Sequence, residues 1–484
     1  MHFDDFKLQH PDKLYIGGKW AEPSTDRRFA IVHPATGETV MHVTEAREAD
    51  IDLAVEAAHK AFHAGPWPRL SPQERAEYLL RFADAIEARH KQIALAQTIQ
   101  IGAPLGAGLY VAAGLSGEPR RNAAYASSYP FREVRAVAGG SAAIVREPVG
   151  VVAAIVPWNL PSHLGLIKMC PALLAGCTLV VKPSPEAPLD MLLIAEAASE
   201  AGFPDGVLSI LPGDRDVGDR LIRDSRIDKV SFTGSTAAGR HIGAVCMDRV
   251  ARVSLELGGK SAAIILDDIP IDVCVPSLVG MSTILNGQAC MGLTRVLVSR
   301  RRQQELTEAL GAAYSALTVG DPFDLATHIG PLASGRQRER VEQFIAEGKA
   351  AGARVVTGGS RPAKLSQGCF IQPTVFGEVS PDMAIAREEI FGPVLSILAY
   401  DSEDDAIRIA NDSIYGLNGA VYTQDPERVE PIARRLRTGT VAHNGMGPQA
   451  GMPFGGFGQS GIGREGSIEA LDLFTEIKTI YTAA

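Results

Sequence analysis

The sequence predicts an α/β protein: a doubly wound, mostly parallel sheet, then a second α/β unit, with a small β arm. Three observations carry this. From residue 149 near-continuous apolar runs (VGVVAAIVP, TLVVKPS, VLSILPG, KVSFTGS) alternate with segments of helical apolar spacing, the pattern of parallel strands buried on both faces. A similar series starts near 262 with SAAIILDD, TRVLVSR, PVLSILAY and GAVYTQD. Finally, 484 residues exceed the size at which a single core stops growing, so two or three domains are expected.

Taken in order, residues 15–20 and 29–32 read as short strands, and PATG at 34–37 as a turn. Helical spacing runs over 48–63 and 71–100, the latter opened by Ser71-Pro72-Gln73-Glu74: a serine cap, proline at the first position and glutamate at the third. A glycine-rich stretch, 102–117, separates these from 125–147, which alternates like strands around a Gly139-Gly140 turn and reads as a hairpin arm. Helices are predicted from about 161, over 188–201 and 216–223, from 236, and then over 302–317, 335–351 and 403–411. The tail LFTEIKTIYTAA reads as a last strand, pairing within the chain or with a partner subunit.

Composition narrows the function classes. Hydrophobic content of 46% with 21% charged residues is globular. A net charge of −9 and a pI near 5.7 argue against a nucleic-acid surface. No window approaches the ~20 apolar residues of a membrane span. MHFDDFKLQHPDK lacks an apolar signal core, so no export or transit peptide is read there. The six cysteines (170, 177, 246, 274, 290, 369) form no CxxC pair. They fit a reducing cytoplasm, and no metal site is expected.

The most informative stretch is Ile284-Leu-Asn-Gly-Gln-Ala-Cys290-Met-Gly-Leu-Thr-Arg295. It sets a cysteine among small residues and amides, leaving room and donors for a nucleophilic thiolate; an inert core cysteine is the alternative. Glu256 lies in an apolar strand before Gly258-Gly259, where burial lifts a carboxyl towards the range of a general base; pairing with Lys260 is the alternative. Asn159 at a strand end either donates to an oxyanion or caps the next helix. Gly234-Ser-Thr-Ala-Ala-Gly239 follows a strand and opens a helix, the setting of a phosphate-binding turn, or of a plain glycine turn. Lys182 leaves a buried strand within reach of ribose or phosphate, or of water. Glu389 and Phe391 stand at a tight turn, as ribose and ring contacts or as core.

The strings PWN (157–159), VVKPS (180–184), FTGST (232–236), ELGGKS (256–261), GQAC (287–290), EEIFGPV (388–394) and PFGGFGQSGIGRE (453–465) occur in this order. Together they resemble the aldehyde dehydrogenase superfamily over about residues 14–481, and Cys290 follows Glu256 by 34 residues. The resemblance implies a Rossmann-like cofactor domain (1–124 and 146–257), a catalytic domain (258–465) and an oligomerisation arm (125–145 and 466–484). It implies Cys290 as nucleophile, with Asn159 and the Cys290 backbone N–H holding the oxyanion. Glu256 would be the base that hydrolyses the thioester, with Glu465 as an alternative base or proton relay and Lys168 matching a family lysine near the site. NAD, or NADP, would be bound by Ile155, Pro157, Trp158, Asn159, Lys182, Ser184, Gly213, Phe232, Thr233, Gly234, Ser235, Gly239, Glu256, Leu257, Gly258, Cys290, Glu389 and Phe391.

One position departs from the family. Members preferring NAD often carry glutamate three residues after the Lys182 position, where this chain has Pro185, with Glu186 next to it. NAD remains the expectation, with NADP open. The substrate positions implied are Leu160, Leu164, Ile167, Ala289, Met291 and Phe454, with small residues in 445–452, an apolar and roomy pocket for a neutral aldehyde. No arginine lies in these segments to clamp a carboxylate. A coenzyme A-dependent acyl transferase, a semialdehyde dehydrogenase and a non-catalytic scaffold are the rivals. The retained Glu256 counts against the first, and the set Asn159, Glu256 and Cys290 against the last. A homodimer or homotetramer follows by resemblance.

Overall fold

The computed structural model describes residues 1–484. Its first sheet has eight strands, in the order Gly461–Ile462, Arg252–Glu256, Lys229–Thr233, Val151–Ile155, Thr178–Lys182, Leu208–Ile210, Leu14–Ile16, Lys19–Ala21. The five inner strands are parallel and the outer three antiparallel to their neighbours. The Val151–Ile155 and Thr178–Lys182 strands are buried throughout, which is why they lack the alternation of half-exposed strands. From Val151–Ile155 the chain first builds outward on one side, then returns to add Lys229–Thr233 on the other. That reversal is the switch point at which open α/β sheets bind ligands. The strand ends are level there: Ile155 pairs with Lys182 and Phe232, and Thr233 with Glu256.

The second sheet has seven strands, in the order Arg354–Thr357, Thr374–Gly377, Val394–Tyr400, Arg295–Ser299, Ala262–Ile265, Gly419–Tyr422, Ala442–His443, and only its first pair is antiparallel. A third, antiparallel sheet joins Arg132–Val137, Gly140–Pro148 and the terminal strand Thr475–Ala483, so the tail pairs within the chain. No helix is long and apolar enough to cross a membrane.

Several boundaries differ from the sequence reading. Residues 71–100 form two helices, Pro72–Ala88 and His90–Ile101, hinged at Arg89. The glycine-rich stretch is helical, as Leu105–Gly114 and Gly117–Ser128. At Gly108 a side chain would stand 3.3 Å from the Ala94 carbonyl oxygen, so that glycine serves close helix packing rather than a turn. The arm's strands accordingly start at Arg132 and end at Pro148, not over 125–145. Gly461–Ile462 belongs to the first sheet, so residues 258–465 do not all stay with the second. The helix Ile271–Thr283, with Pro276 and Gly280 inside it, was not anticipated.

Candidate active site

A cleft of about 920 Å³ opens at the carboxyl ends of the inner strands of the first sheet and is closed from the other side by the second unit. Cys290, Asn159, Glu256, Glu389 and Phe391 all line it.

The Cys290 loop is held by backbone that few sequences tolerate. Leu285, Asn286 and Gly287 are consecutively left-handed (φ 51°, 60° and 76°), a conformation that costs a non-glycine residue ~1–2 kcal/mol. Buried amides compensate. Asn286 Nδ2 donates to the Gly102 and Pro331 carbonyls (3.0 and 2.9 Å), and its Oδ1 accepts from the Gly330 N–H (2.8 Å). Gln288 Oε1 accepts from the Ala333 N–H at 3.0 Å. A side chain at Gly287 would stand 2.4 Å from the Pro393 nitrogen, and one at Gly259 would meet the Cys290 carbonyl oxygen at 2.4 Å. Both glycines are therefore required by close approach.

Asn159 is buried and donates one amide N–H to the Gln288 carbonyl at 3.0 Å. That bond orients the side chain and leaves the second N–H free. Burial pushes the Cys290 thiol well up, and the Glu256 and Glu389 carboxylates add to the rise; the N–H groups of Met291 and Cys290 oppose it. Glu256 is likewise raised well above the ordinary carboxyl range, by burial first and then by the charge of Glu465. Lys168 and the nearby Cys290 thiol pull the other way. Neither Glu256 oxygen has a hydrogen-bond partner at normal distance, and the buried Lys260 ammonium has none either. The pairing of Glu256 with Lys260 is therefore not formed. Lys168 Nζ instead meets Glu465 Oε1 at 2.6 Å, both buried, and Ser231 Oγ lies 3.4 Å from the same oxygen.

The rest of the cleft suits a dinucleotide. Ser235 caps the helix Thr236–Asp248, accepting from the Ala238 N–H at 3.3 Å, and the first turn of that helix faces the cleft. The buried Thr233 hydroxyl has no partner. Glu389 accepts from the Gly259 N–H at 3.0 Å, and burial pushes its carboxyl up to about 7. A side chain at Gly258 would stand 2.4 Å from Glu389 Oε2, so glycine is what lets that carboxylate reach its place. Trp158 and Phe391 meet edge to face, with ring centroids 5.3 Å apart. Pro157, Gly234 and Leu257 complete the predicted residues lining the cleft.

Six predicted cofactor residues lie off its lining: Ile155, Lys182, Ser184, Gly213, Phe232 and Gly239. Lys182 donates to the Pro183 and Gly213 carbonyls (3.0 and 2.7 Å), and burial brings it down to about 8. Glu186 accepts from the Ser184 hydroxyl and pairs with Arg336 at 2.7 Å, and its charge partly offsets the effect of burial on Lys182. A side chain at Gly239 would meet Leu257 Cδ2 at 2.5 Å, a packing constraint.

None of the six predicted substrate residues lines this cleft. Leu160 packs with Trp158 against Ile101, Ala187 and Leu285, beneath the nucleophile loop. Leu164 and Ile167 are buried in the helix Pro161–Ala175, while Ala289 and Met291 flank Cys290 half-exposed. Phe454 pairs its backbone with Glu465 in both directions (2.9 and 2.7 Å), and so positions that carboxylate. Sequence reasoning missed Arg240, Arg336, Gln337, Arg340 and Tyr415, which also line the cleft. Gln337 donates to the Phe391 carbonyl at 2.7 Å and Arg340 to that of Glu389 at 2.7 Å. The ASGRQRER run looks like an ordinary solvated helix start, and only the tertiary fold turns it towards the cleft.

The family model "Aldehyde dehydrogenase family" matches residues 20–480. A geranial dehydrogenase from Castellaniella defragrans is 45% identical, covering 97% of this chain and 98% of its own length. A 3-succinoylsemialdehyde-pyridine dehydrogenase from a Pseudomonas species is 42% identical over 97% and 98%. Among solved structures, an aldehyde dehydrogenase from Mycobacterium tuberculosis complexed with NAD+ superposes with a TM-score of 0.95 at 45% identity, over 97% and 98% of the two chains. A mutant of aldehyde dehydrogenase C from Pseudomonas syringae, complexed with NAD+ and octanal, gives a TM-score of 0.95 at 38% identity, over 99% and 98%.

Proposed function

The chain belongs to the aldehyde dehydrogenase family, and from that premise we propose how its residues carry out the NAD(P)-dependent oxidation of an aldehyde to its acid. The observation that supports the reading is the convergence of Cys290, Asn159 and Glu256 on one cleft. The Cys290 thiol gives its proton to solvent, and Glu256 beside it is the base whose raised pKa suits it to accept a proton from water at the later hydrolysis. The Cys290 sulfur then bonds to the aldehyde carbon. The free Asn159 N–H and the Cys290 backbone N–H hold the resulting oxyanion.

When bound, the nicotinamide cofactor supplies the hydride acceptor. Of the residues lining the cleft, Thr233, Ser235, Arg240 and Arg336 would hold its phosphates, Glu389 its ribose, and Trp158 and Phe391 its ring. The thioester left on Cys290 is cleaved by a water whose proton goes to Glu256, with Lys168 favouring and Glu465 opposing the charged form of that carboxylate. Free acid leaves, and the thiol is regenerated.

The substrate read from the site is a neutral, mainly apolar aldehyde. The small residues of 445–452 support this, as do relatives named for geranial or bound to octanal. The first sheet forms a cofactor domain, the second a catalytic domain and the third an oligomerisation arm. Val134, Ile477 and Tyr481 stand exposed on that arm, and a second copy covering them makes a dimer or a pair of dimers. Six unpaired thiols fit a cytoplasmic setting.

The test is intact-mass analysis of Glu256→Gln with aldehyde and NAD or NADP. An acyl mass that disappears in the Glu256→Gln, Cys290→Ser double variant supports the reading. Acylation that survives without Cys290 overturns it.

A further inference from the structure

The second sheet carries a pair of buried cations that the chemistry at Cys290 does not use. Ala262, Arg295 and Gly419 stand level at the starting ends of three adjacent parallel strands. Lys260 and Ser261 lead into the first of these strands, Arg295 opens the second, and Asn418 leads into the third. All four line one small cavity with a free volume of about 10 Å³, and each is 4% exposed or less. Room of that size admits one body about as large as a water molecule. The walls of the cavity are joined to the nucleophile loop on both sides. Asn418 Nδ2 donates to the Met291 carbonyl at 2.9 Å, and Gly259, just before Lys260, is pressed against the Cys290 carbonyl oxygen.

Three of the lining side chains hold a buried atom without a partner: Lys260 Nζ, Ser261 Oγ and Asn418 Oδ1. Arg295 donates from Nε to the Lys260 carbonyl at 2.8 Å, and from Nη1 and Nη2 to the Ile409 and Ala410 carbonyls at 3.1 and 2.8 Å. Three of its five N–H groups are engaged in this way, and two are left over. No carboxylate is bonded to either cation. Those in their field are held elsewhere: Glu389 accepts from the Gly259 N–H at 3.0 Å, and Asp412 pairs with Arg387 at 3.1 Å. Burial and the like charge of Arg295 bring Lys260 down to about 7, against the pull of Glu389 and Glu388.

Two buried positive charges on one cavity, with no bonded counter-charge, are costly. A neutral occupant such as water takes up hydrogen bonds but leaves both charges uncompensated. A second metal or ammonium cation is repelled. A molecule bearing a carboxylate or phosphate is too large for the space. We propose that the cavity is a binding site for one monatomic anion of the chloride class, held by the Lys260 ammonium, the Ser261 hydroxyl and the free N–H groups of Arg295. An ammonium has three N–H groups, so Lys260 serves both the anion and Asn418 Oδ1.

The test uses the full-length enzyme and bromide, a halide that diffracts anomalously. Protein dialysed exhaustively into gluconate, an anion too large for the cavity, is titrated with bromide at constant ionic strength and followed by thermal unfolding. Lys260→Met removes the charge at similar length and experiences the same general salt effect, so it serves as the reference. Relative to it, the wild-type melting temperature is expected to rise by about 2 °C for each tenfold increase in bromide once the site fills. Ser261→Ala, which loses one donor, should need about tenfold more bromide for the same rise. Crystals of the wild type grown in bromide should show an anomalous peak bounded by Lys260, Ser261 and Arg295. This last measurement stands even where a variant fails to fold.

A cavity without an anomalous peak in those crystals overturns the proposal, and marks its occupant as water. So does a wild type whose response to bromide matches that of Lys260→Met.

Discussion

The Lys168 ammonium and the Glu465 carboxylate meet at 2.6 Å with both side chains buried, and both act on Glu256, Lys168 by attraction and Glu465 by repulsion. Glu465→Gln removes the repulsion and leaves the cation, so the Glu256 pKa falls. The acidic limb of the pH–kcat profile is expected to move to lower pH. Stability is expected to fall by about 3–5 kcal/mol, because a buried lysine loses its partner. Steady-state rates from pH 5 to 9 and a denaturant titration read the two effects separately.

Glu256→Gln separates acylation from hydrolysis. A first-turnover burst of reduced cofactor should persist, while steady-state turnover falls by about 10²–10⁴. The same variant should flatten the dependence of stability on pH. A carboxyl raised in the folded state contributes its full stability below the ordinary value of 4.5, and loses it as pH climbs towards the raised value. The slope is up to ~1.4 kcal/mol per pH unit. Melting temperatures at pH 5 and 8 should diverge in the wild type more than in the variant.

Cys290→Ala should lower turnover by more than about 10³-fold without weakening cofactor binding. Equilibrium titration of the variant with reduced cofactor, followed by fluorescence, checks the second half. Weakened binding alongside lost turnover would indicate a collapsed loop rather than a missing nucleophile.

Pro185→Glu places a carboxylate three residues after Lys182, in a segment where Glu186 is already engaged by Ser184 and Arg336. It should raise the NAD over NADP ratio of kcat/KM about tenfold, as a like charge facing a 2′-phosphate would. Arg336→Ala frees Glu186 and should move the ratio in the same direction by less. An unchanged ratio in both variants would place cofactor choice elsewhere.

The strands and their order of use were legible because VGVVAAIVP, TLVVKPS and KVSFTGS are buried on both faces and show no competing period. The residues 102–117 were not, because glycine in a helix looks like glycine in a loop until the Ala94 backbone is seen against Gly108. Cys290, Asn159 and Glu256 stood out because each breaks the apolar pattern at a strand end or in a glycine-flanked loop. Arg336, Gln337 and Arg340 sit on a helix whose sequence is that of any exposed surface, and their approach to the cleft depends on how the second unit docks.

The strand bearing Glu256 takes Gly461–Ile462 as its outer neighbour, and Glu465 comes from the same late segment. During synthesis, all five parallel strands of the first sheet leave the ribosome some 200 residues before that edge can close. The nascent chain thus carries an unpaired strand edge and a buried lysine without its counter-ion, a state that invites chaperone binding or misassembly. Acid–base competence arrives only with the last few dozen residues, so a truncated translation product should be inert rather than partly active.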